Sequence, residues 1–225
     1  MDEKELNEKL QEFWNESGKG VDPIVITKED VDTKDVFSHH MIEIGNNYER
    51  VLDIGCGFGE SLFDVMLKGE KTKYALGVDT SKNAIEFASK TTSLSKIDNL
   101  EFKVCEEDTL NSIEDHSFDA IICSNTLDVV SPSMSIELIN NIKRIVKDNG
   151  LVFIKVNFYL TEDIIERTKA IALGDDCYSI NGVLRSRNKT DEYWINIFKP
   201  FSLVNQDLYE RIPNGPKDRI FIFKK

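Results

Sequence analysis

Val51-Leu-Asp-Ile-Gly-Cys-Gly-Phe-Gly59 is the stretch on which the fold turns. Val51 to Ile54 form a short apolar run of strand length, which passes directly into glycines at 55, 57 and 59 and then into an amphipathic stretch ending near Lys68. A strand, a glycine turn and a helix in that order let the backbone bend sharply and approach a ligand that a Cβ would exclude. The helix behind the turn offers free N–H groups. A packing turn would ask for similar glycines, so the flanking segments carry the rest of the argument.

Working outward, residues 74–78 form a second apolar run, followed by a helix over 81–90 with Ser81 as its N-cap. Residues 100–105, 118–123 and 151–156 read as further strands, and 134–146 shows helical apolar spacing. Asn149-Gly150 is expected to close that helix with a left-handed cap. Strands alternating with helices at this interval imply an α/β chain with a parallel sheet and right-handed crossovers. The C-terminal part changes character: a helix over 190–198, a strand within 201–212, the turn Pro213-Asn-Gly-Pro216 and a last strand over 219–223. So short a turn makes that last pair antiparallel. Residues 157–189 fall between sheet elements, with one expected helix over 161–173 and an irregular remainder. The first 46 residues read as two charged helical pieces, 3–15 and 33–44, separated by Ser17-Gly-Lys-Gly20.

A chain of 225 residues and 25.7 kDa can bury one sizeable core. It is 40% hydrophobic and 30% charged, which excludes a disordered or low-complexity polymer. Lys and Arg number 28 against 40 Asp and Glu, a net charge of −12 that disfavours nucleic acid and anionic membranes as partners. The balance is uneven, because residues 183–225 hold nine basic and five acidic side chains. No apolar run approaches the ~18 residues of a membrane span. The start, Met-Asp-Glu-Lys-Glu, is too acidic for a targeting peptide, so a cytoplasmic location is expected. Cys56, Cys105, Cys123 and Cys177 are widely spaced, and neither a disulfide framework nor a metal site is expected.

Asp79 ends the second strand twenty residues after Gly59, where a carboxylate can accept both hydroxyls of a ribose. A dinucleotide fingerprint would place glycine where this chain has Glu60, and a glutamate at a helix start opposes a pyrophosphate. The pattern favours a nucleoside ligand without phosphates over a nicotinamide cofactor.

With those residues in place, Val51 to Gly59 resembles the first motif of class I S-adenosylmethionine-dependent methyltransferases. Gly77-Val-Asp-Thr-Ser81 resembles the family's second-strand acid, and Glu106-Glu-Asp-Thr109 its adenine-contacting segment. His116 to Val130 is similar to its fourth strand and following turn, in the ubiquinone- and menaquinone-type branch that acts on small molecules. Val146-Lys-Asp-Asn-Gly-Leu-Val-Phe-Ile154 resembles its junction into the fifth strand. These matches run from about residue 50 to 156.

The resemblance implies a Rossmann-like, doubly wound, mostly parallel seven-stranded sheet with an antiparallel last strand pair and N-terminal helices as a cap. It implies a cap over 1–46 and a methyltransferase domain over 47–225, in which 157–189 forms a lid. S-adenosyl-L-methionine is the implied cofactor: Gly55, Cys56, Gly57 and Gly59 would cradle its methionine part, and Asp53 would orient the loop and the amino group. Asp79, with Thr80 beside it, would hold the ribose, and Asp108 and Thr109 would meet the adenine. Ser124 and Asn125 would face the transferable methyl group. The implied reaction is in-line transfer to an O, N or C atom of a small-molecule acceptor, in which orientation alone can supply on the order of 7 to 11 kcal/mol.

Many of these relatives carry an acid followed by His where this chain has Asp128-Val129, so no histidine base stands there. His39, His40, Tyr178 and Arg185 are the acceptor-side candidates; the first two also fit plain helix packing, and Tyr178 fits the seating of a lid. Arg185 or Arg187 is expected to meet a carboxylate or phosphate on the acceptor. Three rivals remain: RNA methylation, opposed by the acidic balance and by Ser124-Asn-Thr-Leu127 in place of Asn-Pro-Pro-Tyr; a nicotinamide oxidoreductase; and a protein that binds S-adenosylmethionine without transferring methyl.

Overall fold

The inner strands of one seven-stranded sheet are buried on both faces, as the near-continuous apolar runs of a parallel sheet require. The computed structural model describes residues 3–225. In chain order the elements are α1 (Glu3–Ser17), α2 (Val36–Asn47), β1 (Arg50–Ile54), α3 (Glu60–Lys68), β2 (Tyr74–Asp79), α4 (Lys82–Ser95), β3 (Leu100–Val104) and β4 (Phe118–Ser124). They continue with α5 (Pro132–Ile145), β5 (Val146–Val156), α6 (Glu162–Thr168), β6 (Ile171–Gly174), β7 (Cys177–Ile180), β8 (Val183–Arg187), α7 (Asp191–Ile197), β9 (Ser202–Tyr209) and β10 (Asp218–Lys224).

The sheet order is β3-β2-β1-β4-β5-β10-β9, with β1 to β5 mutually parallel and β10 antiparallel to both its neighbours. This is the doubly wound seven-stranded sheet that the resemblance implies. Leu52, Ile54, Ile121, Cys123, Val152 and Ile154 pack one face against α5 and α7, through Ile139, Ile142 and Trp194. Val51, Ala120, Ile122 and Phe153 pack the other against α2 and α3, through Phe37, Met41 and Leu62. Trp194 and Phe198, four residues apart on the last helical turns, are wholly buried, and Phe198 stacks on Phe223 at 4.7 Å.

The helix after β2 starts where expected, with the Ser81 hydroxyl accepting from Ala84 N, and runs on to Ser95. Three expectations need correction. Helix α5 ends at Ile145, with Val146 already extended and paired to Phe118, so Asn149-Gly150 does not cap it. Asn149 does adopt the left-handed conformation (φ 59°), in an excursion of β5 where the register with β4 shifts. The helix expected over 161–173 stops at Thr168, because Lys169 turns left-handed (φ 55°).

Beyond it the expected irregular remainder is a second, three-stranded antiparallel sheet, β6-β7-β8. Its hairpins turn at Gly174-Asp175-Asp176 and at Asn181-Gly182, all in positive φ. Asn-Gly is the pair that a two-residue hairpin selects, because both positions need that conformation. Leu6 and Leu10 of α1 pack on Cys177 and Leu184 of this small sheet.

Two arginines of the basic C-terminal stretch are internal. Arg187 and Arg219 are 2% and 6% exposed, and Arg219 pairs with Asp191 at 3.0 Å. Among the described residues no helix is long and apolar enough to cross a membrane.

Candidate functional site

The sheet order reverses between β1 and β4, which opens a crevice at the carboxyl ends of the strands, where such sheets bind ligands. Gly55, Gly57 and Gly59 follow β1 with φ of 76°, 51° and 89°, the left-handed region that favours glycine. A Cβ on Gly55 would run into the Thr126 side chain, whose hydroxyl reaches the Ile54 and Ser124 carbonyls at 3.4 and 3.1 Å. A Cβ on Gly57 would meet nothing within 4 Å. The first glycine therefore serves close packing of β1 on the β4 turn, and the second borders open space.

Asp79 ties this loop to β2. Its Oδ2 accepts from Gly57 N at 2.9 Å and its Oδ1 from Ser81 N at 2.8 Å, while Gly55 N and Cys56 N donate to the Val78 carbonyl. Burial raises the Asp79 carboxyl above the usual range, and the two amides pull it back. Lone pairs remain on both oxygens for a diol. Thr80, next in line, is exposed.

Asp53, at the end of β1, is 1% exposed, and neither carboxylate oxygen has a hydrogen-bond partner among the described residues. Burial pushes it up to about 7, the Ser61 hydroxyl offsets part of that from outside hydrogen-bond geometry, and Asp79 adds to it. A buried acid without a donor is costly unless something cationic or protic reaches it. Asp53, the open side of Gly57 and the half-engaged Asp79 together fit a nucleoside ligand carrying an ammonium group.

The other implied cofactor residues border the same crevice. Cys56 is buried behind Gly77, and its thiol is pushed well up by burial. Residues 106–109 turn back on themselves, with Glu106 N donating to the Thr109 hydroxyl at 2.8 Å and Asp108 exposed. Ser124 ends β4, and Asn125 follows it left-handed (φ 50°), its N–H donating to the Lys155 carbonyl at 2.7 Å. Cys123 is wholly buried inside β4 with its thiol pushed up, which leaves it inert as a nucleophile.

The acceptor-side candidates scatter. His39 is exposed beside Glu43, at 3.6 Å. His40 is buried between α2 and β9, with Nε2 3.3 Å from Asp207 Oδ2 and its ring against Phe153. Tyr178 sits on β7 opposite Ala172 and Ser186. Arg187, offered beside Arg185 as an anion contact, is corrected by its burial: it donates to the Leu127 carbonyl and the Tyr193 hydroxyl and holds the β4 turn against α7. Arg185 is half-buried over the rings of Phe13 and Trp14, 5.3 Å from each, and both burial and the nearby Arg211 press against its charge.

The structure adds a polar cluster that the sequence reading passed over. Lys155, near the end of β5, is 6% exposed, with Nζ 4.6 Å from the ring centres of Phe37 and Tyr209 and 3.7 Å from Asp218. Burial lowers it to about 8. Asp218 accepts from Arg211 at 2.5 Å and Asn125 Nδ2 at 3.5 Å, which links β10 to the β4 turn. Asp128 accepts from the backbone and side chain of Asn157 at 2.9 and 2.8 Å. A lysine inside the apolar run 151–156 was the available signal, since a charge there must find a partner.

A family model described as a methyltransferase domain matches residues 46–195. A tRNA N(3)-methylcytidine methyltransferase of Schizosaccharomyces pombe is 25% identical over 183 residues, covering 77% of this chain and 58% of that one. A ubiquinone biosynthesis O-methyltransferase of Neisseria meningitidis is 28% identical over 105 residues, covering 47% and 42%. The chain thus spans about half the length of these curated relatives. Among solved structures, the 1,6-didemethyltoxoflavin-N1-methyltransferase of Burkholderia thailandensis, held with its substrate and S-adenosylhomocysteine, superposes with a TM-score of 0.69 at 15% identity. That likeness covers 100% of this chain and 91% of the other, and it speaks for the fold. With the family model spanning the glycine turn, all five parallel strands and the small sheet, the chain belongs to the methyltransferase-domain family, in its class I, S-adenosylmethionine-dependent form.

Proposed function

We propose that the chain transfers a methyl group from S-adenosylmethionine to a small-molecule acceptor. The observation that carries this reading is Asp53, a buried carboxylate with no hydrogen-bond partner among the described residues, beside a glycine turn that opens onto free space. The cofactor, when bound, supplies a methyl group already activated by its sulfonium. The chain's own part is to hold and orient. Asp53 would take the ammonium of the methionine portion, Asp79 the ribose hydroxyls, and the 106–109 turn the adenine edge, with Ser124 and Asn125 lining the floor beneath the methyl group.

Residues 1–46 would act as a cap and 157–189 as a lid. In support, α1 bridges the two sides of the crevice: Ser81 and Asn83 donate to the Trp14 and Asn15 carbonyls at 3.2 and 2.7 Å, and Phe13 and Trp14 cover Arg185. Among the described residues Arg185 forms no ion pair within 4 Å, and it lies in the opposing fields of Arg211 and Asp128, which leaves its charge available to an acceptor carrying a carboxylate or phosphate. Radiolabelled methyl transfer into a metabolite extract, followed by the Arg185→Gln variant on the product found, tests this. The acceptor KM should rise at least about tenfold with cofactor affinity unchanged; label confined to RNA would refute the small-molecule reading.

Methylation of tRNA is the second reading, favoured by the similarity to the S. pombe enzyme over most of this chain. It requires tRNA binding that weakens steeply as salt rises. The acidic total and the internal placement of Arg187 and Arg219 weigh against it.

A further inference from the structure

A cavity of about 430 Å³ lies apart from the strand-end crevice, between residues 24–35, α3 and α4. That volume is ordinary for a small-molecule site. The segment that walls it is fastened to α4, since Ile24 N donates to the Thr91 hydroxyl at 3.3 Å and Ile26 N to the Ser95 hydroxyl at 2.9 Å. None of the cofactor residues named above lines it. It meets the glycine stretch only through Phe58, which is packed edge-on against Phe87 at 5.2 Å, and through Glu60 at the start of α3.

Its lining combines aromatic walls with five carboxylates. Three of these are engaged locally: Asp30 accepts from Thr27 N and Oγ1, Asp32 from Lys34 N, and Asp35 from Ser38 N as the cap of α2. Glu60 and Asp64 differ. They stand four residues apart on one face of α3, where like charges repel; among the described residues neither forms an ion pair within 4 Å, and Glu60 feels the Lys155 charge only at longer range. Asp64 is 7% exposed, and its Oδ2 has no hydrogen-bond partner. Burial, then Glu60 and Asp35, push its carboxyl up to about 6, with the Ser38 hydroxyl opposing them.

A buried carboxylate with one oxygen unpartnered among the described residues, beside a second carboxylate and near aromatic rings, is complementary to positive charge. The same walls select among cations. A hard metal ion would need six or more oxygen ligands and its waters, which Phe58, Phe63 and Phe87 cannot supply, and no cluster of three metal-ligating side chains occurs among the described residues. We propose that this cavity binds an organic ammonium, its nitrogen between Asp64 and Glu60 and its apolar body against Phe58, Phe63 and Phe87. This site is independent of the methyl-transfer reading, because it uses other residues and needs no cofactor.

Calorimetry on the full chain at low salt tests it with 2-phenylethylammonium and, as an anion of the same shape, 3-phenylpropionate. The ammonium should bind and the propionate should not, and Asp64→Asn should weaken the ammonium at least about tenfold. Asn keeps the shape and removes a buried charge, so a melting curve should show the variant folded. Equal binding of the two probes, no ammonium binding up to about 10 mM, or an unchanged affinity in folded Asp64→Asn would overturn the proposal.

Discussion

Replacing Asp53 with Asn should stabilise the ligand-free protein while weakening its hold on the cofactor. The folded carboxyl is raised from 3.8 to about 7, with burial as the first cause. A raised acid favours the protonated form in the folded state. The burial cost is therefore absent below about pH 4, grows through the interval up to about pH 7, and is complete above it. At 1.36 kcal/mol per unit, the full cost approaches ~4 kcal/mol. Asn bears no charge at any of these values, so the variant's advantage over the wild type should open by a few kcal/mol between those limits. Urea unfolding at steps from about pH 4.5 to 8.5, followed by the fluorescence of Trp14 and Trp194, measures it directly. The same variant should lose affinity for S-adenosylhomocysteine, because the carboxylate that costs stability is the one assigned to the ligand's ammonium. A stability difference that stays flat across this pH range would refute the reasoning, and so would an Asn variant that binds the ligand as tightly as the wild type.

The glycines make a contrast. Gly55→Ala should be the more damaging, since its Cβ has no room beside Thr126, whereas Gly57→Ala, with open space and only the strain of positive φ, should cost about 1 kcal/mol in a melt. Asp79→Ala removes the acceptor of both Gly57 N and Ser81 N and should weaken S-adenosylhomocysteine by at least about tenfold in calorimetry. Trp194→Ala, deep under α7, should cost about 3 to 5 kcal/mol in urea unfolding without touching the crevice.

The centre of the main sheet was readable because β1, β2, β4, β5 and β10 carry apolar runs that end up buried, so local pattern and tertiary burial agree there. The small β6-β7-β8 sheet was not, for a specific reason: residues 170–173 are apolar without interruption, and such a run suits a helix or a strand until its turns are recognised. Asn181-Gly182 was the overlooked turn. In the site, the glycines and the two acids at strand ends are legible because backbone conformation and strand position dictate them. Lys155 and Asp218 are not, since they meet only after β10 has folded back beside β5 from sixty residues away. Arg187 shows the converse. A basic residue in a basic stretch read as a surface contact, and it proved to be an internal brace for the β4 turn.

Titration of the wild-type chain with S-adenosylhomocysteine and, separately, with NAD is the most direct test of the account. The glycine turn, the unpartnered Asp53 and the Glu60 carboxylate at the head of α3 predict binding of S-adenosylhomocysteine at micromolar concentration or below and none of NAD. Tight binding of NAD, or a flat titration with S-adenosylhomocysteine, would contradict it.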